Sequence, residues 1–201
     1  EIEMKVTKCL YCNNKKLTYV THRSDDNSIL RCERCKVMMV ENIADDTEKL
    51  YTSSYFEKEE GTKNGYTNYL SSPIANLMGK YAFTRLFATP GGNHLDLGCA
   101  DGSLMEIFKS EGFSTKGLEI SKDAVAIANE KDLDVQFSRL HVFPKKLTKS
   151  TVITAFDLLE HADKPGDVLK GVYDNIENDG LLVFSTLSVK KKDLPDYWLT
   201  N

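Results

Sequence analysis

Four of the five cysteines stand in two closely spaced pairs near the start of the chain, Cys9 with Cys12 and Cys32 with Cys35. Each C-x2-C pair can place two thiolates on one metal ion, and two pairs complete the tetrahedral site that Zn²⁺ prefers. Because the protein would fill all four positions, the metal would be structural. The alternatives, two redox motifs or a chance spacing, do not explain two pairs separated by β-prone sequence. We therefore expect a structural zinc held by these four cysteines.

A second set of residues lies in "HLDLGCADG", residues 94–102, where an apolar run ends in Asp96 and small residues follow. Gly98, Ala100 and Gly102 occupy every second position, and apolar residues then return at helical spacing. A strand that ends in such a turn and leads directly into a helix lets a ligand approach the backbone. The turn is therefore a candidate ligand site.

The acidic partner of this turn is Glu119, which ends a β-prone run about 20 residues further on. A carboxylate in that place can accept hydrogen bonds from ribose hydroxyls, so the turn and the acid together indicate a nucleoside-containing ligand. The spacing G-x-A-x-G differs from the G-x-G-x-x-G of dinucleotide-binding turns, which fits a pyrophosphate.

A third polar set follows another apolar run, in "FDLLEH", residues 156–161. His161 is the first choice for a general base because imidazole titrates closest to neutral pH. Asp157 and Glu160 are the other catalytic candidates. The alternative is that these polar residues only fix the loop by hydrogen bonds.

The elements that must position these residues alternate from residue 93 onward. Strands are predicted over 93–97, 114–119, 134–138, 151–156 and 180–186, and helices over 102–111, 121–131 and 165–177. Such alternation predicts right-handed βαβ units, a parallel sheet and the α/β class. Composition divides the chain into a zinc ribbon (1–44), a Tyr-rich linker with a helix after Ser72 and Pro73 (45–90), and the main domain (91–201).

These motifs together resemble the class I S-adenosylmethionine-dependent methyltransferases. "LDLGCADG" is similar to their first motif, an acidic residue followed by GxGxG, although Ala100 replaces the middle glycine, and Glu119 matches the acid that ends their second strand. "TVITAFDLLEHADKPGDVL" (151–169) resembles their fourth strand and its loop, and "YDNIENDGLLVFSTL" (173–187) the turn into their fifth strand. The resemblance covers roughly residues 74–187 and implies a Rossmann-like sheet flanked by helices.

The resemblance also implies S-adenosylmethionine as the cofactor, with Asp96 near its amino group, Glu119 on its ribose and Ile120 against its adenine. We expect the thiol of Cys99 to pack as a small buried residue rather than act as a nucleophile. The cofactor-binding set is Asp96, Gly98, Cys99, Ala100, Gly102, Glu119, Ile120, Phe156 and Tyr66.

A zinc ribbon and a Tyr-rich linker before such a domain resemble enzymes that methylate sugars, either nucleotide-linked or in cell-surface polysaccharide. Tyr66 and Tyr69 would then reach the pocket, or alternatively cover the junction between ribbon and domain. The rival enzyme class is the ribosomal RNA guanine methyltransferases, some of which carry a ribbon. Asp157, Glu160 and His161 also resemble the ExxEH motif of the ubiquinone O-methyltransferases, whose residues hold a divalent metal; here Asp replaces the first Glu.

Composition limits the partners. The 201-residue chain carries a formal net charge of −4, so it lacks the basic surface with which proteins usually bind nucleic acid. No apolar run approaches the roughly 20 residues of a membrane span, and no secretory signal is visible, so we expect a cytoplasmic protein with a small-molecule acceptor.

The number of strands leaves the organisation open. The family's sheet has seven strands, whereas five are recognisable before Asn201. We therefore expect that the C-terminal strands are missing because the chain is a fragment, or that a partner, for instance a second copy in a homo-oligomer, covers the exposed sheet edge. A non-catalytic interaction module stays open as an alternative.

Overall fold

The computed structural model describes residues 3–23, 26–44, 74–145 and 147–186. Tyr66, Tyr69 and the predicted linker up to residue 73 lie outside the described residues. Within those residues, none of the helices combines the length and the apolar character that crossing a membrane requires.

The N-terminal part consists of five short strands. They are β1 (Glu3–Lys5), β2 (Leu17–His22), β3 (Ser28–Cys32), β4 (Met38–Val40) and β5 (Asn42–Ala44). Strands β2, β3 and β4 form an antiparallel sheet, and β1 pairs antiparallel with β5. Among the side chains described here, six are buried: Val6, Cys9, Ser28, Ile29, Cys32 and Met39. Two of these six are metal-ligand candidates, so the core of this part is small without a metal.

From residue 74 onward helices and strands alternate as predicted. The helices are α1 (Ile74–Arg85), α2 (Ser103–Ser110), α3 (Lys122–Glu130) and α4 (Pro165–Asn175), and the strands are β6 (Asn93–Leu97), β7 (Ser114–Glu119), β8 (Asp134–Phe137), β9 (Ser150–Phe156) and β10 (Ile176–Ser185). The five strands form one parallel sheet, in the order β10-β9-β6-β7-β8. The predicted fold class is therefore confirmed.

The strand order places the candidate site. The chain moves outward from β6 to β7 and β8, and then returns to the other side of β6 with β9. In open parallel sheets, ligands bind where the order reverses, beyond the carboxyl ends of the strands. That position lies between β6 and β9, next to the end of β7.

Alternating side chains of β6 serve the two faces of the sheet. Leu95 and Leu97 are buried in the core that includes Val168 and Val172 of α4. His94, on the opposite face, stacks on Phe108 of α2 with ring centroids 3.8 Å apart. Asp96 shares the face of His94, so a polar pair is buried in that half of the core.

One element boundary differs clearly from the prediction. Strand β10 begins at Ile176 rather than at residue 180, and α4 correspondingly ends at Asn175. Ile176 pairs with Ser150, and regular pairing resumes at Leu181 after an irregularity. The polar residues between Ile176 and Leu181 are typical of a turn, and the bulge interrupts the alternation of a strand. The sequence therefore predicts the start of this strand too late.

Candidate functional site

The turn between β6 and α2 contains three residues with left-handed backbone conformations. The φ angles are 69° at Gly98, 49° at Ala100 and 77° at Gly102. Glycine adopts such angles freely, whereas a Cβ, as on Ala100, costs about 1–2 kcal/mol. A Cβ on Gly98 would also lie 2.7 Å from Cδ1 of Leu158. The small residues therefore allow both the turn and the close approach of the loop that follows β9.

Glu119 closes this turn from the end of β7. Its Oε2 accepts a hydrogen bond from the Ala100 N–H at 2.9 Å, and its Oε1 accepts from the N–H groups of Ile120 and Ser121 at 2.8 and 2.9 Å. Burial raises the pKa of Glu119, and the three N–H donors offset part of the rise. A carboxylate can accept about four hydrogen bonds, so one acceptor position remains, on Oε2.

Five backbone N–H groups of the turn donate to acceptors within the protein. They are those of Gly98, Cys99, Ala100, Gly102 and Ser103. The Ser103 N–H reaches Oδ1 of Asp101, whose Oδ2 lies 2.8 Å from Lys131 Nζ. Phosphate-binding turns instead direct such N–H groups at the ligand. This turn therefore differs from a dinucleotide site. Carboxylates lie beside it, and most of its N–H donors are already used within the protein.

Asp96 lies near the carboxyl end of β6, beside the position where the strand order reverses, with only 3% of its surface exposed. Its Oδ1 accepts from the Thr154 hydroxyl at 2.6 Å, and Thr154 Oγ1 lies 2.8 Å from His94 Nε2. His94 Nδ1 lies 2.9 Å from the Thr115 hydroxyl. Burial lowers the pKa of His94 to about 3, so the ring is neutral. We assign the tautomer in which Nε2–H donates to Thr154, because Thr154 then donates to Asp96.

The charge of Asp96 depends on its surroundings. Burial raises the pKa of Asp96 to about 7, although the Thr154 hydrogen bond and the nearby Lys80 ammonium lower it, and Glu119 adds to the rise. A second positive charge close to Asp96 would favour its ionised form.

Lys80 of α1 links the helix to the end of β9. Its Nζ lies 3.1 Å from Oδ2 of Asp157 and 5.0 Å from the ring centroid of Phe156. Asp157 also accepts from the Ser185 hydroxyl of β10 at 2.6 Å. Burial raises the pKa of Asp157, but the hydrogen bonds from Ser185 and Lys80 outweigh it and lower the pKa. Asp157 is therefore held as an ion at this edge of the sheet.

The other two catalytic candidates lie in a 3₁₀ turn, Leu159–His161. Glu160 Oε2 accepts from the Thr186 hydroxyl at 3.0 Å, and His161 is exposed. Among the residues that the structure describes, only the cysteine set groups three or more possible metal ligands. The divalent-metal role implied for Asp157, Glu160 and His161 stays a prediction; in this structure Asp157 contacts Lys80 and Ser185.

Three other residues of the cofactor-binding set have distinct surroundings. The thiol of Cys99 is buried in the core cluster that includes Met105, and burial raises its pKa. Only the backbone of Cys99 can therefore face a ligand. Ile120 is 9% exposed next to Glu119, and Phe156 is half-buried at the end of β9.

The four paired cysteines converge on one point. Their Sγ atoms all lie within 4.8 Å of one another, with Cys9 3.5 Å from Cys35 and Cys12 3.6 Å from Cys32. Four sulfurs bound tetrahedrally at 2.3 Å from Zn²⁺ would be about 3.8 Å apart, whereas a disulfide needs about 2.05 Å. The arrangement fits a tetrahedral zinc ion.

Both cysteine pairs are built as the same turn. We define the first knuckle as residues 9–12 and the second knuckle as residues 32–35. In each, the N–H four residues after the first cysteine donates to its carbonyl at 3.0 Å, from Asn13 and from Lys36. Both donors have left-handed φ angles, 56° and 64°. Burial raises the pKa of Cys32, but N–H groups of Cys35 and Arg34 lower it to about 6, whereas burial raises the pKa of Cys9 and that of Cys35. Without a metal, the thiolate is therefore favoured at Cys32 and disfavoured at Cys9 and Cys35.

The parallel sheet, the small-residue turn after β6 and the acid that ends β7 define a class I S-adenosylmethionine-dependent methyltransferase fold. The chain belongs to the methyltransferase domain family, whose profile matches residues 69–200.

Curated relatives match about half of the chain. The chain is 28% identical over 105 residues to the ubiquinone biosynthesis O-methyltransferase of Burkholderia orbicola, covering 49% of this chain and 45% of the relative. It is 28% identical over 104 residues to that of Coxiella burnetii, covering 48% and 44%. The chain thus spans less than half the length of these relatives.

Solved structures agree on the fold. The PH0226 protein of Pyrococcus horikoshii superposes with a TM-score of 0.53 at 17% identity, covering 58% of this chain and 59% of that chain. A Methanococcus maripaludis protein proposed to be an S-adenosylmethionine-dependent methyltransferase gives 0.51 at 17% identity, covering 58% and 57%.

Proposed function

We propose that the protein transfers the methyl group of S-adenosylmethionine to a small acceptor, a hydroxyl or carbon of a nucleotide-linked or polysaccharide sugar. The observation that supports the cofactor best is the charge of the crevice. Asp96 and Glu119 lie beside it, near the carboxyl ends of β6 and β7, and five N–H groups of the turn are already bonded within the protein. A pyrophosphate would be repelled there, whereas a phosphate-free cationic sulfonium would be attracted.

The residues suit the parts of this cofactor. The acceptor position left on Glu119 Oε2 would take a ribose hydroxyl, and Asp96 would receive the cofactor's ammonium group. Ile120 would lie against the adenine. When bound, S-adenosylmethionine supplies an electrophilic methyl group. His161, exposed beyond the end of β9, would take the proton of an acceptor hydroxyl during an in-line displacement.

Charge favours a small acceptor over RNA. The N-terminal ribbon carries basic residues interspersed with acidic ones, and the whole chain is acidic. Docking on folded RNA would require several phosphate contacts.

The sugar class rests on the resemblance of the ribbon and linker to sugar methyltransferases. The ubiquinone O-methyltransferases point to a second small-molecule class, a quinone precursor. We further propose a cytoplasmic location and a structural zinc on the four cysteines.

The acceptor is tested by radiolabelled methyl transfer with the complete gene product. We expect label in at least one member of a nucleotide-sugar panel, and none in purified ribosomal RNA or a quinone precursor. Label in RNA alone, with affinity falling by about 0.7–0.9 log units per log unit of salt for each phosphate contact, would reverse the assignment. Label in the quinone precursor alone would show that the acceptor is a quinone precursor rather than a sugar.

Replacing Glu119 by Ala is expected to weaken cofactor binding and also to lower stability. The variant loses the ribose contact, for which a charge-assisted hydrogen bond contributes about 1.5–3 kcal/mol. It also leaves three buried N–H groups, those of Ala100, Ile120 and Ser121, without their acceptor. Calorimetry with S-adenosylhomocysteine measures the first effect, and thermal unfolding measures the second.

Glu130→Ala is the matched control, because Glu130 is an exposed glutamate at the end of α3. It should leave both measurements unchanged. Wild-type protein that binds no S-adenosylhomocysteine, or binds NAD equally well, would refute the cofactor assignment. An unchanged affinity in Glu119→Ala would refute the role of this residue.

A further inference from the structure

The first knuckle contacts the methyltransferase domain directly. We define the β9 loop as residues 157–164, which include the three catalytic candidates. The Tyr11 hydroxyl donates to the carbonyl of Leu159 at 3.2 Å. Just after the β9 loop, in the first turn of α4, the Gly166 N–H donates to the carbonyl of Leu10 at 3.2 Å. Two consecutive ribbon residues thus bind both sides of Glu160 and His161.

The contact is close enough to require a glycine. A Cβ on Gly166 would lie 2.8 Å from the Leu10 carbonyl oxygen and 3.0 Å from that of Tyr11. Both are backbone atoms, so no side-chain rotation relieves the clash. Gly166 is the second residue of α4, where a glycine otherwise disfavours the helix. The approach of the first knuckle accounts for a glycine at this position.

We propose that the first knuckle holds the β9 loop in place, with Tyr11 as a positioning residue for methyl transfer. The docking itself follows from the contacts, whereas its catalytic relevance rests on the proposed function. Leu10 and Tyr11 stand between Cys9 and Cys12, so the segment that contacts the β9 loop is also the segment that joins two metal-ligand candidates. The ribbon would then support the acceptor side of the crevice rather than recruit a separate partner.

Tyr11→Phe tests this with the metal-loaded, full-length protein, because it removes only the hydroxyl. Hydrogen exchange should become faster in peptides covering residues 158–168, by roughly two- to tenfold, which corresponds to one lost hydrogen bond. The His161 ring resonance, one of four histidines, should shift in the NMR spectrum. Zinc content and S-adenosylhomocysteine affinity should stay as in the wild type, and the thermal midpoint should fall by no more than a few degrees.

Two controls accompany it. Tyr19→Phe alters another ribbon tyrosine, which is 55% exposed and contacts His22, and it should leave His161 and residues 158–168 unchanged. Gly166→Ala should accelerate exchange more than Tyr11→Phe does. Gly79→Ala should not, because nothing lies within 4 Å of a Cβ on Gly79, in helix α1.

The results separate the hypotheses. Unchanged exchange and an unmoved His161 resonance in Tyr11→Phe would overturn the proposal. Faster exchange spread evenly over ribbon and sheet would also overturn it, since Tyr11 would then be a purely structural residue. A wild-type protein that binds no S-adenosylhomocysteine would refute the proposed function, while the exchange data would still decide whether the first knuckle holds the β9 loop.

Discussion

Removing zinc from the native protein is expected to unfold the N-terminal strands while the parallel sheet remains folded. Among the side chains that the structure describes in residues 3–44, six are buried, and two of these belong to the cysteine set. Units of about 40 residues rarely fold without a metal or disulfides, and structural zinc contributes about 10–16 kcal/mol in zinc-finger peptides. Elemental analysis should find one zinc per chain, and hydrogen exchange after chelation should show loss of protection in residues 3–44.

A matched pair of cysteine variants distinguishes ligands from bystanders. Cys12→Ala should abolish zinc binding and reproduce the effect of the chelator. Cys99→Ala should retain one zinc, because Cys99 is buried in the methyltransferase core beside Met105. A reduced wild-type protein without zinc, or with disulfides inside the pairs, would contradict the prediction.

Much of the fold could be predicted because its signals are local. The five strands and their helices follow from apolar periodicity, and the turn at Gly98 and Gly102 follows from residues that tolerate positive φ. The cysteine site follows from spacing alone. Strand β10 was predicted to begin four residues too late, because its bulge interrupts the alternation on which the prediction depends.

The residues of the candidate site could be predicted only where they lie in a recognisable sequence motif. Glu119 was identified from its distance to the turn, but its three backbone partners were not. Lys80, missed entirely, reaches Asp157 across 77 positions of sequence. His94 and Thr154, also missed, meet because β6 and β9 are neighbours in the sheet. No spacing rule reports such contacts; the only available signals were a histidine and a threonine inside apolar strands.

These missed contacts decide the electrostatics of the crevice. Thr154 and Lys80 both favour the ionised form of Asp96, and burial opposes them. Because burial has the larger effect, the pKa of Asp96 stays raised even though Lys80 is nearby. A further positive charge beside Asp96 would therefore stabilise its ionised form. This imbalance is what a cationic ligand would relieve, and it makes the affinity for such a ligand depend on pH.

Affinity for S-adenosylhomocysteine, which retains the ammonium group, is expected to rise with pH up to about 7 and then level off. Burial raises the pKa of Asp96 to about 7, and the ammonium binds the ionised form. Below that pH each unit should weaken binding by up to about tenfold, or ~1.4 kcal/mol. Asp96→Asn should remove this dependence and weaken binding at pH 8. Calorimetry between pH 5.5 and 8.5 measures both.

The same shift predicts the opposite effect on stability. The pKa of Asp96 is raised in the folded state, so this carboxyl stabilises the fold at low pH, and the contribution is lost as pH rises through about 7. Asp96→Asn should therefore raise the stability of the ligand-free protein at pH 8, by about 1–3 kcal/mol, while lowering its cofactor affinity. Asp134→Asn, on the exposed strand β8, is the control and should change neither quantity by as much. A destabilised Asp96→Asn variant at pH 8, or one that keeps the pH dependence of binding, would show that Asp96 is not the group that responds to the ligand's charge.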